Sequence, residues 1–182
     1  MTHRSILHWA TALLQLAATL PAQATVTSGA SGFLVTHDVT IAAPPSVVYD
    51  TIVSRVGTWW NPQHTYSLDG ANLSIDARPG GCFCERFPQG GGVEHMRIVY
   101  VAPGAVLRMA GALGPLQASG LAGSMTWKLS AAGAGTRLEL SYSVGGFMAG
   151  GFERMAPAVD AMVGEQVQRL RLLLETGSPA PR

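Results

Sequence analysis

The feature that most constrains this chain is its last long run, Phe147 to Thr176, in which Val159, Val163, Val167, Leu170 and Leu174 recur at steps of three and four. That spacing places them on one face of a helix. Asp160, Glu165, Gln168, Arg169, Arg171 and Glu175 fall mostly on the other face, and Gly177 with Pro179 supplies a stop signal. A helix of about twenty residues is about 30 Å long at 1.5 Å per residue. A stripe of that length requires an apolar partner surface of matching length, which the preceding chain must build. Ala156-Pro157 predicts a bend near the start of the run, because proline interrupts helical hydrogen bonding. Val167, Leu170 and Leu174 are expected to seal the helix down, and the Gly-rich stretch from Gly145 to Gly151 is the expected ligand gate.

The partner surface reads as antiparallel strands. Phe33 to Ile41 alternates, with Phe33, Val35, His37, Val39 and Ile41 on one side and Thr36, Asp38 and Thr40 on the other. Pro45 and Ser46 then favour a helix start, and a short helix runs to about Ser54 on Val47, Val48, Tyr49, Ile52 and Val53. Trp59-Trp60-Asn61-Pro62 marks a second short helix or tight elbow. From there the period changes to two. Leu68 to Ala77, Cys82 to Phe87, Val93 to Val101, Ala105 to Leu113, Leu121 to Ser130 and Thr136 to Val144 read as strands joined by short turns, which implies hairpins. The expected fold is α+β: seven antiparallel strands, two short helices between the first two, and the long helix last.

The flanks carry different signals. Arg4, the mostly apolar run Ile6 to Leu20, and Ala22-Gln23-Ala24 have the layout of a signal peptide with cleavage after Ala24. The apolar run is short for a membrane span, which needs about twenty residues, so no stable membrane insertion of the mature chain is expected. A bacterial export signal would place the protein in the periplasm or outside the cell. Residues 25–32 read as a linker and 177–182 as a disordered tail. With 12 basic and 11 acidic residues, Lys128 the one lysine, and no basic cluster, nucleic-acid binding has no electrostatic footprint. Phosphate-cradling loops, dinucleotide fingerprints, serine elbows and HExxH pairs are missing from the sequence, so neither cofactor nor metal is expected.

The element order, together with VTIAAPPSVVYDTIVS, WWNP, GGCFCERF, VYVAPGAVLRM, MTWKLSAAGAGTRLELSY and VDAMVGEQVQRLRLLLE, resembles the SRPBCC/START-like (Bet v 1-like) superfamily. The phrases are most similar to its polyketide cyclase/dehydrase and heat-shock ATPase activator-homologue branch. The resemblance covers roughly Gly32 to Thr176. It implies a helix-grip fold, in which a curved sheet wraps the terminal helix and leaves a cavity open to apolar ligands. Because that superfamily hosts carriers, receptors and cyclases alike, the fold does not name the function. Export would rule out a cytosolic co-chaperone role.

Within such a cavity the expected apolar lining is Trp59, Trp60, Phe83, Met109, Met125 and Trp127, with Tyr142, Phe147, Phe152, Met155, Val159 and Met162. Methionine suits an irregular, adaptable pocket. Glu85 shares a strand face with Phe83 and Phe87, so it goes inward with them and needs a cation or a raised pKa. His95 on the next strand, or His37 on the first, would complete an acid-base pair of the kind a cyclase or dehydratase uses beside a carbonyl. Arg86, Arg97 and Arg108 are alternative, purely structural partners. His64 and Tyr66 lie just past the elbow, at a pocket mouth or in a surface loop. Cys82 and Cys84 point to one face of their strand. They are either two thiols or a bridge, and a bridge requires a kink or bulge, since extended i and i+2 residues are about 6.5–7 Å apart. Three functions therefore stand open: a carrier of a small hydrophobic ligand, a cyclase/dehydratase-type enzyme, and an envelope interaction protein with a collapsed interior. The oligomeric state is not legible.

Overall fold

The computed structural model describes residues 22–180. Residues 1–21 of the expected leader and residues 181–182 of the expected tail lie outside them. Eight strands form one antiparallel sheet: β1 Gln23–Gly29, β2 Gly32–Ile41, β3 Leu73–Ile75, β4 Cys82–Arg86, β5 Gly92–Ala102, β6 Val106–Ala110, β7 Ala122–Ala132 and β8 Gly135–Gly145, in the order β1-β2-β8-β7-β6-β5-β4-β3. Helices α1 Pro45–Ser54 and α2 Val56–Trp59 separate β2 from β3, and α3 Met155–Thr176 closes the chain. This is the helix-grip arrangement with one strand more than expected.

The extra strand replaces the expected linker. β1 pairs with β2 from Gln23↔Asp38 to Gly29↔Gly32, and the Thr25 and Thr36 hydroxyls are 2.6 Å apart. All seven of its residues are exposed, so backbone pairing alone defines it and no hydrophobic periodicity reveals it. Cleavage after Ala24 would remove two of its residues and leave Thr25–Gly29 paired. The reading of Leu68 to Ala77 as a strand also shrinks, to β3. Leu68 sits at φ 57°, in the left-handed region, and cannot continue a strand. After α3, Gly177 caps the helix at φ 78° by donating its N–H to the Leu173 carbonyl, and Ser178 turns back onto the Thr176 hydroxyl.

Strand alternation builds the inner face. Val35, Ile41, Leu107, Leu138, Leu140 and Tyr142 are completely buried there, and Trp127 packs edge-on against Trp59 at 5.7 Å between ring centroids. α3 lays Val159, Val163, Val167, Leu170 and Leu173 on this face. Leu173 is buried and Leu174 is only half-buried, so the seal shifts by one residue from the expected stripe. Pro157 occupies the first turn, where its missing N–H has no helical acceptor to lose, and the helix runs unbroken through it from Met155 to Thr176. Gly164 lets the helix approach β2 closely: a Cβ there would lie 2.7 Å from the His37 imidazole. No helix of the described residues is long and apolar enough to cross a membrane.

The elbow between α1 and β3 is held by two backbone crossings. A Cβ on Gly57 would stand 2.4 Å from the Gly70 carbonyl, and one on Gly70 would stand 2.5 Å from the Gly57 carbonyl. Two peptide units therefore touch where side chains would keep them apart. This contact returns the loop 60–72 to the helix from which it left. We expect Gly57→Ala to lower stability by about 1–3 kcal/mol through overpacking against backbone, read as a fall in the midpoint of urea unfolding. Gly29→Ala, with nothing within 4 Å of its Cβ, serves as the control and should shift it by less than about 0.5 kcal/mol.

Candidate functional site

A cavity of about 360 Å³ opens at one end of the grip. It lies between the elbow segment (Trp60, Gln63 to Tyr66), His95 of β5, the β6–β7 loop (Leu113 to Leu116), and Met155, Ala158, Val159 and Met162 of α3. The lining is mostly apolar, interrupted by Gln63, His64, Thr65 and His95. Each wall is separately anchored. The Leu113 N–H donates to the Tyr142 hydroxyl at 2.9 Å, and Gln117 donates from Nε2 to the Glu94 and His95 carbonyls at 2.6 and 3.2 Å. The Tyr142 phenol is pushed up to about 12 by burial, only partly offset by the Leu113 N–H, so it stays neutral in this role.

The elbow is strapped to α3 by polar contacts. Asn61 donates its backbone N–H to Gln166 Oε1 at 2.7 Å and its side-chain amide to Glu165. Arg169 Nε donates to the Trp59 carbonyl at 2.8 Å, and His64 Nε2 lies 2.9 Å from Glu165 Oε2. His64 and Tyr66 thus lie at the cavity, one of the two places their position past the elbow left open.

Behind the lining stands a buried carboxylate. Glu85, 2% exposed, points inward from β4, and two other segments of the chain, the loop after the elbow and β5, converge on it. Its Oε2 accepts the Tyr66 N–H at 3.0 Å and lies 3.0 Å from His95 Nε2, while Oε1 accepts the Ser67 N–H at 2.5 Å. Burial pushes this carboxyl up. The Ser67 side chain, the two backbone N–H groups and His95 more than offset that, and it titrates below its ordinary value. Burial likewise lowers the His95 imidazole, against the opposing pull of Glu85. The pair is therefore a carboxylate and a neutral imidazole near pH 7. With Nε2–H given to Glu85, the lone pair of His95 sits on Nδ1.

The arginines offered as alternative partners go elsewhere. Arg97 pairs with Glu94, Arg108 lies 5.6 Å from the Tyr100 ring centroid and donates to Thr126, and Arg86 is exposed. His37 does not join the pair. Its Nε2 faces Asp160 Oδ1 of α3 at 3.0 Å, and it does not line the cavity.

Of the expected apolar lining, Trp60, Met155, Val159 and Met162 border the cavity. Trp59, Phe83, Met109, Met125, Trp127, Tyr142 and Phe152 are instead packed solid in the core, each at most 2% exposed. They occupy the volume between sheet and helix because they are large and interlocked: Phe33 stands 5.8 Å from Phe152 and 6.4 Å from Tyr142, centroid to centroid. Phe147 is 84% exposed, and residues 145–151, where the gate was expected, do not frame the cavity; the elbow and the first turns of α3 do. Gln63, Thr65, Leu113 to Leu116 and Ala158 were not legible as lining. They come from turns and a helix flank whose inward direction has no periodic signature.

Cys82 and Cys84 are joined, with their Cα atoms 5.4 Å apart, and the β4–β5 register slips between Phe83 and Cys84. The kink that a bridge requires is thus present at the bridge itself.

No protein of curated function matches the chain. Several solved structures share its architecture. CalU16 from Micromonospora echinospora has a TM-score of 0.58 at 15% identity, with 87% of this chain and 88% of that one covered. A conserved protein of unknown function from Enterococcus faecalis has a TM-score of 0.61 at 16% identity, covering 87% and 81%. The Aha1 dimer protein from Colwellia psychrerythraea has a TM-score of 0.58 at 18% identity, covering 79% and 97%. At such identities the likeness establishes the fold alone. The sequence itself goes further: residues 33–175 match the family described as polyketide cyclase / dehydrase and lipid transport, and the chain belongs to that family, within the SRPBCC and START-like superfamily.

Proposed function

We propose that the protein is an exported carrier of a small hydrophobic ligand, lipid or polyketide-like, held at the mouth of the grip. The observation that carries this reading is the cavity of about 360 Å³, apolar on most of its wall and framed by anchored segments. It sits toward the small end of the range for small-molecule sites, about 300–1,000 Å³. The interior beyond it is filled, so the ligand is compact, with its polar end toward His95, His64 and Gln63. Export is supported by the leader signature and by the Cys82–Cys84 bridge, which suits an oxidising compartment. Native mass spectrometry of protein recovered from the periplasm should give a chain beginning at Thr25 with a bound small molecule. Ala158→Trp, on an exposed flank of α3 that borders the cavity, should abolish co-purification with little change in melting temperature. A chain retaining its leader would overturn export, and undiminished ligand in Ala158→Trp would overturn this location.

A second reading, a cyclase or dehydratase, is favoured by one specific contact. Glu85 and His95 meet at 3.0 Å, with the imidazole on the cavity wall and the carboxylate behind it. That is the arrangement of a base and its orienter. His95 Nδ1 would take a proton from carbon beside a ligand carbonyl, and Glu85 would stabilise the imidazolium formed. Deuterium exchange into a β-diketone probe tests this: Glu85→Gln should slow it by at least about 100-fold, and an unaltered rate would remove the proton-transfer role.

The same pair gives stability a pH dependence. Both groups titrate below their ordinary values of 4.5 and 6.5, so each contributes stability that is present above its unfolded value and lost as pH falls through its folded one. The melting temperature should therefore drop as pH is lowered from about 7 to 4. In His95→Gln the upper part of that decline should flatten. An equally steep decline between pH 6.5 and 5 in the variant would show that His95 is not the group responsible.

A further inference from the structure

His95 reaches the cavity only because the sheet is irregular beside it. Cys82 pairs with Arg97 and Phe83 with Met96, but Cys84 pairs with Glu94 and Glu85 with Val93. One step along β4 therefore matches two steps along β5, and His95 is the extra residue of a bulge. Its consequence shows in burial. His95 and Met96 are consecutive yet both buried, whereas Glu94 and Arg97 on either side are exposed. In a regular ladder neighbours point to opposite faces. Continuing the Cys82–Phe83 register without a slip would put Cys84 opposite His95 and Glu85 opposite Glu94. Two carboxylates would then face each other, which is destabilising, and the imidazole would take the parity of the cysteines.

The bridge lies on that step. Cys82 and Cys84 flank Phe83, and their Cα atoms are 5.4 Å apart where an extended strand places i and i+2 at about 6.5–7 Å. β4 is contracted where the register slips. We propose that the Cys82–Cys84 bridge is a redox-sensitive positioning device: it keeps β4 contracted and so holds the β5 bulge that turns His95 toward Glu85 and the cavity. Reduction by a dithiol breaks the S–S bond. Two electrons and two protons pass to the cysteines, giving two thiols, while the dithiol becomes a disulfide. β4 is then free to extend, and His95 loses the constraint that separates it from the cysteine face. The consequence for ligands rests on the carrier reading above, but the switch itself does not.

The test compares the mature chain before and after dithiothreitol, with the bridge state read as the mass of two hydrogens, and follows each imidazole by NMR. In the bridged protein His95 should titrate below 6.5, and on reduction its midpoint should move up toward that value with loss of the coupling to Glu85. The ring resonances of His37, on β2 against Asp160, should keep their positions at fixed pH. The double variant Cys82→Ala/Cys84→Ala should reproduce the reduced state without reductant. An unchanged His95 titration in fully reduced protein overturns the proposal. So does a simultaneous shift of His37, which would mean general loosening rather than local repositioning. Binding of anilinonaphthalene sulfonate forms a separate arm: weakening on reduction supports control of the cavity. No dye binding in either state, with the His95 shift intact, would sink the carrier reading and leave the switch standing.

Discussion

One buried carboxylate ties the site together. Glu85 comes from an edge hairpin of the sheet, Tyr66 and Ser67 from the loop after the elbow, and His95 from the neighbouring strand, and all three meet on its two oxygens. A carboxylate removed from water is costly unless its lone pairs are used. Among the described residues no arginine or lysine pairs with it; two backbone N–H groups and the His95 imidazole supply the donors. The loop 65–69 cannot leave without stranding the charge, and the charge fixes which nitrogen of His95 carries the proton. Position, tautomer and loop conformation are thus consequences of one desolvation penalty.

The aromatic residues extend this coupling into the core. Trp127, Trp59, Trp60, Phe83 and His95 follow one another at centroid separations of 5.7, 5.6, 5.2 and 5.0 Å, and Tyr66 stacks on His95 at 6.1 Å. Such edge and tilted contacts pack densely and leave little free volume. The grip is solid in its middle, and the apolar cavity lies where that packing ends, at the elbow. Tight packing thus fills the middle of the fold, and the cavity opens at its mouth. Polar straps from Asn61, His64 and Arg169 to α3 hold that mouth at a definite width.

Much of this was legible in residue order. The 3.6-residue stripe of α3, the alternation of β2, β7 and β8, and the start of α1 at Pro45 follow from periodicity and proline stereochemistry. The inward direction of Glu85 followed from its sharing a strand face with Phe83. β1 carries no periodic signal because all its side chains are exposed. Periodicity overstates the cavity lining because it reports which residues face inward, and does not report whether the space they face is already full.

The long terminal stripe, the alternating strands and the inward carboxylate are properties of sequence alone, since each is set by local geometry repeated along the chain. The partner of that carboxylate is a property of the tertiary structure. By alternation His95 belongs to the face opposite Met96 and Ile98, and only the slip in the β4–β5 ladder brings it inward. A bulge depends on two strands being matched against each other, which no single strand's pattern encodes. The same holds for the cavity, whose volume is what remains after distant side chains have packed, and for the loop amides on Glu85, which reach it only when the elbow has closed.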